Sequence, residues 1–151
     1  MADKKISEVT PKGAQLQDDD LLIVSDYNGS TYDTRSVTGA NIRPFKTVMF
    51  TISQTGTSAP TVDYSYTDEV TQTFTFARTA VGDYTLTASS AFFTANKTFV
   101  NLNLGVNTPS GSIGYYRVST TQIVIFTTNL STGFFADALL NKSQLEIKII
   151  K

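Results

Sequence analysis

The residues best equipped for chemistry in this chain of 151 residues are its carboxylates and its paired aromatics. Asp18, Asp19 and Asp20 stand in a row directly before the apolar run LLIVSDY. Adjacent carboxylates suggest a cation site, yet a calcium loop spreads its oxygen ligands at alternating positions around a tight glycine turn, and successive side chains entering a strand point to opposite faces. The spacing favours a solvated strand entrance, or a turn whose aspartates bond to nearby backbone amides. No metal site is expected. Asp63, Asp68, Glu69, Asp83 and Glu146 are the candidates for a glycosidase-type pair, which would have to face each other across a cleft about 5 to 10 Å apart. Nothing in the sequence pairs them, and each falls at a turn or on the polar parity of a strand, where charge is merely solvated.

Histidine and cysteine are both absent. Their absence removes the Ser-His-Asp and Cys-His nucleophile systems, histidine- and thiolate-based metal sites, and the side chain best suited to proton transfer near neutral pH. The expectation is a protein that is not an enzyme and carries no cofactor. A formal charge of −1 with 17% charged residues offers no basic footprint for nucleic acid. No stretch approaches the roughly 18 uninterrupted apolar residues of a membrane span, and MADKKISEVT lacks the apolar run of a secretory signal. A soluble, unprocessed chain with neither nucleic acid nor membrane as partner is expected.

The aromatics offer surface rather than reactivity. Tyr115 and Tyr116, and likewise Tyr64 and Tyr66, could present a stacking platform to sugars or bases, although tyrosines on strands commonly bury the ring and leave the hydroxyl wet. Tyr115 and Tyr116 are the candidate glycan contacts. Phe92 with Phe93, and Phe134 with Phe135, are adjacent pairs flanked by turn residues. In an extended segment both members cannot enter one small core, so one of each pair is expected on another surface, most naturally a subunit contact.

The elements that must position these residues are strands. Residues 1–20 show no sustained period and read as an arm ordered only against a partner, with Ile6 and Val9 as isolated apolar anchors. LLIVSDY, then Asn28-Gly29, then STYDTRSV predicts a β-hairpin about a type I′ turn. Leu21, Leu22, Ile23 and Val24 make its first strand apolar on both faces at the base, which suits insertion into a larger particle. TGANIRP predicts a capped helical turn ended by Pro44, and the domain boundary is placed there: 1–44 as an arm and hairpin and 45–151 as a β domain. Alternation then marks KTVMFTIS, VTQTFTFAR, DYTLTAS, TFVNLNL, SIGYYRVS, QIVIFTT and QLEIKII as seven strands. QIVIFTT, apolar on both parities, is expected to be central. GFFADALLNKS predicts one or two helical turns over 133–143. The fold class is therefore all-β: an arm and hairpin followed by an antiparallel β-sandwich or jelly-roll-like domain with at most one short helix.

Several stretches also carry a resemblance. KKISEVTPKGAQLQDDDLLIVSDYNGSTYDTRSVTGANI resembles the start of many small structural proteins of tailed phages, with a KISEL-like opening, a D-D-L-L run, a short hairpin and a T-x-A-N-L-like ending. SQTGTSAPTV, AFFTANKTFV, YYRVSTTQIVIFTT and ADALLNKSQLEIKI are similar to the β domain of structural or fibre proteins from phages and prophages of Bacteroidetes. The closing segment departs from that pattern in lacking an aromatic-proline end. The resemblance implies a non-enzymatic virion component made in the host cytoplasm, a homotrimer attached to capsid or other virion proteins through its N-terminal segment. A head fibre or capsid decoration is the first expectation, a tail, neck or baseplate fibre the second, and a host-glycan-binding module the third.

Overall fold

The computed structural model describes residues 21–27, 30–38, 44–105 and 110–151, and the chain divides into two compact units, Met1–Pro44 and Phe45–Lys151. In the first unit β1 (Leu21–Tyr27) and β2 (Tyr32–Thr38) pair antiparallel, from Leu21 opposite Thr38 to Tyr27 opposite Tyr32. A two-residue turn at Asn28-Gly29 would have set Tyr27 opposite Ser30. The register instead leaves four residues between the strands, and because hairpin register follows loop length the whole return strand lies two residues later than the sequence suggests. Thr38, expected to cap a helical turn, closes β2. Residues 39–43, the arm with Ile6 and Val9, and Asp18, Asp19 and Asp20 lie outside the described residues.

The second unit contains β3 (Phe45–Ser53), β4 (Thr61–Asp68), β5 (Phe74–Ala80), β6 (Asp83–Ala88), β7 (Thr98–Asn103), β8 (Gly111–Arg117), β9 (Gln122–Asn129) and β10 (Ser143–Ile150). They form two four-stranded antiparallel sheets, ordered β4-β3-β10-β7 and β5-β6-β9-β8. There is no helix among the described residues. The sheets share one core, with Val48, Phe50, Ile52, Leu145 and Ile147 from the first facing Tyr84, Leu86, Ile123 and Ile125 from the second. This is a β-sandwich, and each central strand follows from its alternating pattern: Val48, Phe50 and Ile52 of β3 are buried, and Ile147, Leu145 and Ser143 of β10, buried too, stand opposite them in register. β9 lies between β6 and β8, as its two apolar parities require, with Ile123, Val124 and Ile125 all buried.

Three expectations need correction. The domain has eight strands in place of seven. The additional one, β4, is an edge strand exposed along nearly its whole length and bulged opposite Thr51 and Ile52, so it buries no face that an alternating apolar pattern could report. β5 begins at Phe74, leaving residues 70–73 outside any strand. The third correction concerns residues 133–143, which are no helix. Gly133, Ala138 and Lys142 all adopt positive φ, at 75°, 62° and 52°, a left-handed conformation that interrupts any right-handed turn. This segment crosses from β9 in one sheet to β10 in the other and straps the end of the sandwich.

Candidate functional site

The strap is positioned by polar groups that the strand patterns bring to one end of the core. Along β5 the inward parity runs Phe74, Phe76, Arg78, opposite Ala88, Leu86 and Tyr84 of β6. A guanidinium in that register must find a carboxylate, and Asp137 of the strap supplies it: Arg78 Nε and Nη2 donate to Oδ1 and Oδ2 at 3.0 and 2.7 Å. The Gly82 backbone N–H, in the turn between β5 and β6, donates to the same carboxylate at 2.9 Å. The Tyr84 hydroxyl lies 3.1 Å from Asp137 Oδ1 and 3.2 Å from Gln54 Oε1, so its single proton serves one acceptor at a time.

Gln54, buried just past β3, is hydrogen-bonded through both ends of its amide. Its amide nitrogen donates to the carbonyls of Gly56 and Ser58 at 2.5 and 3.1 Å, and its oxygen also accepts from the Ala138 N–H at 2.5 Å. One side chain thus ties the loop after β3 to the strap. The Arg78 hydrogen bonds hold the Asp137 carboxyl at about 2, below its ordinary 3.8, with the Gly82 N–H helping. Burial pushes the Tyr84 phenol up to about 12. The shifts favour charged aspartate and neutral tyrosine across the ordinary pH range. Chemically the cluster is a latch, with donors and acceptors committed to one another.

Beyond the latch, the strap runs beside the end of β9. Asn129 N–H donates to Phe134 O at 2.9 Å, Ala136 N–H to Thr127 O at 3.2 Å, and Phe135 bridges Thr128. The strap thereby continues the ladder past the point where β6 begins. Gly82 makes this approach feasible: at φ 65° an added Cβ would lie 2.6 Å from both Ala136 N and Thr127 O. Pairing here lays Phe135 against Phe126, the rings edge-on at 6.0 Å, and Tyr116 follows at 6.5 Å on the other side. Gly114, opposite Phe126 on β8, leaves the room that this ring occupies. The result is an aromatic ledge of Tyr116, Phe126 and Phe135 on the outer face of the β5-β6-β9-β8 sheet, with Phe135 57% exposed; Phe134, at 75%, and Leu130 are exposed as well.

Phe134 and Phe135 therefore both face outward. Phe92 and Phe93 do not. Both are buried against Phe74, Phe92 edge-to-face at 5.2 Å and Phe93 tilted at 6.5 Å, and their own rings meet edge-to-face at 5.4 Å. The expectation that one of this pair leaves the core is overturned, because residues 91–94 are not a strand and the alternation that would have separated the two rings does not apply. Tyr115 and Tyr116 are exposed on β8, but strand geometry sends them to opposite faces, Tyr116 to the ledge and Tyr115 to the inner parity opposite Ile125. They do not make one platform. Leu21, Leu22, Ile23 and Val24 lie on β1 of the hairpin unit.

The latch was missed by sequence reasoning because Asp137 is 59 residues from Arg78. A signal was present in the charge that ends the apolar parity Phe74, Phe76, Arg78. In comparisons with protein-family models, curated proteins and solved structures, none matched the chain.

Proposed function

We propose that this protein is a non-enzymatic structural component of a phage virion, in which the N-terminal hairpin unit attaches to the particle and the β-sandwich is displayed from it as a head fibre or capsid-decorating appendage. The resemblance of the opening residues to phage virion proteins supports this reading. The observation that carries it is the exposed apolar surface where the strap meets the end of the sheet: Leu130, Phe134 and Phe135 are all exposed there, and backbone hydrogen bonds to β9 hold the strap in place. Such a cluster is the surface by which copies associate, and a ring of copies would multiply weak particle contacts. The hairpin supplies the second support. Two strands in water are marginal by themselves, so a unit built on β1 and β2 needs a surface to pack on.

The test separates the two parts. Native mass spectrometry of the full chain should give a trimer that Phe134→Asp with Phe135→Asp converts to folded monomer. Leu22→Ala with Val24→Ala should leave the sandwich folded and abolish incorporation into particles. A wild-type protein that stays monomeric at micromolar concentration refutes the trimer, and normal incorporation of the hairpin variant refutes the attachment.

A further inference from the structure

The outer face of the other sheet carries a different chemistry. Because strands alternate, the side chains of β4, β3, β10 and β7 that point away from the core line up across the sheet, and the registers place them in two rows. Tyr64, Thr51, Gln144 and Asn103 are successive cross-strand partners, and so are Tyr66, Met49, Glu146 and Asn101. Three inter-strand steps of about 4.8 Å make each row about 14 Å long. The centre of this face is a groove floored by Met49, Thr51, Gln144 and Glu146, with Tyr64 as one wall and Asn101 and Asn103 as the other. Tyr64, Tyr66 and Met49 are exposed, as are Asn101, Asn103 and Gln144.

From this arrangement we infer a binding site for a neutral oligosaccharide, lying across the strands on the β4-β3-β10-β7 face. The side-chain types select that class. An amide donates and accepts side by side, as vicinal sugar hydroxyls require, and among the described residues the side-chain amides of Asn101, Asn103 and Gln144 have no hydrogen-bond partner. Tyr64, more exposed than Tyr66, Tyr115 or Tyr116, stands at one end of its row as an apolar plate with a polar edge, suited to the C–H face of a sugar ring.

Charge excludes the competing ligands. Glu146 is neutralised within the face by Lys148, 2.9 Å away on the same parity, so neither an anionic polysaccharide nor a nucleic acid meets a basic track. A protein partner would meet amides and a carboxylate in the centre of the patch, where interface cores are depleted of charge and rich in apolar side chains. The site lies on the opposite sheet from the aromatic ledge, so sugar binding and copy-to-copy contact would not compete. It also differs from the Tyr115 and Tyr116 contact expected from sequence.

The experiment is titration of the isotope-labelled full chain with neutral hexaoses in turn: cellohexaose, laminarihexaose, xylohexaose, mannohexaose and maltohexaose, with oligogalacturonate as the anionic control. At least one neutral hexaose should shift the side-chain amide signals of Asn101, Asn103 and Gln144 saturably, and oligogalacturonate should not. Tyr64→Ala and Asn103→Ala should each weaken binding by about tenfold or more, while Tyr64→Phe keeps it, since the ring face and not the hydroxyl is used. Tyr116→Ala should leave binding unchanged. The assignment is overturned if no hexaose of the set moves those amides at millimolar concentration, if only oligogalacturonate does, if the shifts map to Tyr115 and Tyr116, or if the same amides shift with protein concentration alone, which would give the face to a second copy of the chain.

Discussion

Replacing Asp137 by alanine tests whether the strap is held by the latch. The carboxylate receives two bonds from Arg78, one from the Gly82 N–H and a share of the Tyr84 proton. In the alanine variant Tyr84 turns to Gln54, which is already within reach at 3.2 Å. The guanidinium, with its side chain 21% exposed, regains water, so its loss is only that of a surface-like pair. Gly82 N–H has no such recourse beneath the strap, and a stranded donor costs about 1–3 kcal/mol. Together these give an expected loss of about 2–3 kcal/mol. Urea denaturation of wild type, Asp137→Ala, Arg78→Ala and the double variant measures it. Arg78→Ala should lose less than Asp137→Ala, because Gly82 and Tyr84 keep their acceptor, and the double variant should be little worse than Asp137→Ala alone. The pH dependence has a defined sign. The carboxyl at about 2 lies below its ordinary 3.8, so its stabilisation is complete above that ordinary value and disappears as pH falls towards 2. The gap between wild type and Asp137→Ala should narrow over that window. A loss below about 0.5 kcal/mol at neutral pH, the level of an ordinary surface change, would refute the latch.

Other expectations follow from the same geometry. The Tyr84 phenol, raised to about 12 by burial, should stay neutral at about pH 11, and its stabilisation should fade as pH rises from its unfolded value of about 10 through the folded one; a tyrosinate absorbance titration in which the step lost in Tyr84→Phe lies near 10 would contradict this. Gly82→Ala forces a Cβ against Ala136 and Thr127 at a positive φ, and should cost about 2–5 kcal/mol by thermal or urea melting. Phe93→Ala removes a fully buried ring from the aromatic cluster and should cost about 3–5 kcal/mol, whereas Phe134→Ala, at an exposed ring, should leave monomer stability within about 0.5 kcal/mol. Among the described residues, the buried core cluster lies within Phe45–Lys151, so that segment expressed alone should melt cooperatively, as calorimetry can check.

Strand periodicity by itself determined most of the sandwich. The alternation of Val48, Phe50 and Ile52, of Tyr84, Leu86 and Ala88, and the two apolar parities of β9 each specify which side is buried, because a strand's side chains have only two directions to take. An edge strand such as β4 escapes that logic, since it exposes both faces and buries nothing for the pattern to record. The positions of the adjacent phenylalanines were likewise not legible. Whether Phe92 and Phe93 point together or apart depends on the backbone between them, and that backbone is set by contacts from elsewhere: the Thr120 carbonyl takes the N–H of both. The strap shows the limit most plainly. Its sequence has the spacing of a helix, but local propensity is a matter of a few tenths of a kcal/mol per residue. Asp137 is claimed instead by Arg78, Gly82 and Tyr84, Ala138 by Gln54, and the Lys142 N–H by Ser53 Oγ at 3.0 Å. Those partners reach the strap only once two sheets have stacked. The tertiary structure alone decided that residues 133–142 would form an irregular strap and no helix, that Phe134 and Phe135 would be exposed, and that two rows of amides and tyrosines would align on the opposite face, because each depends on contacts between strands distant in sequence.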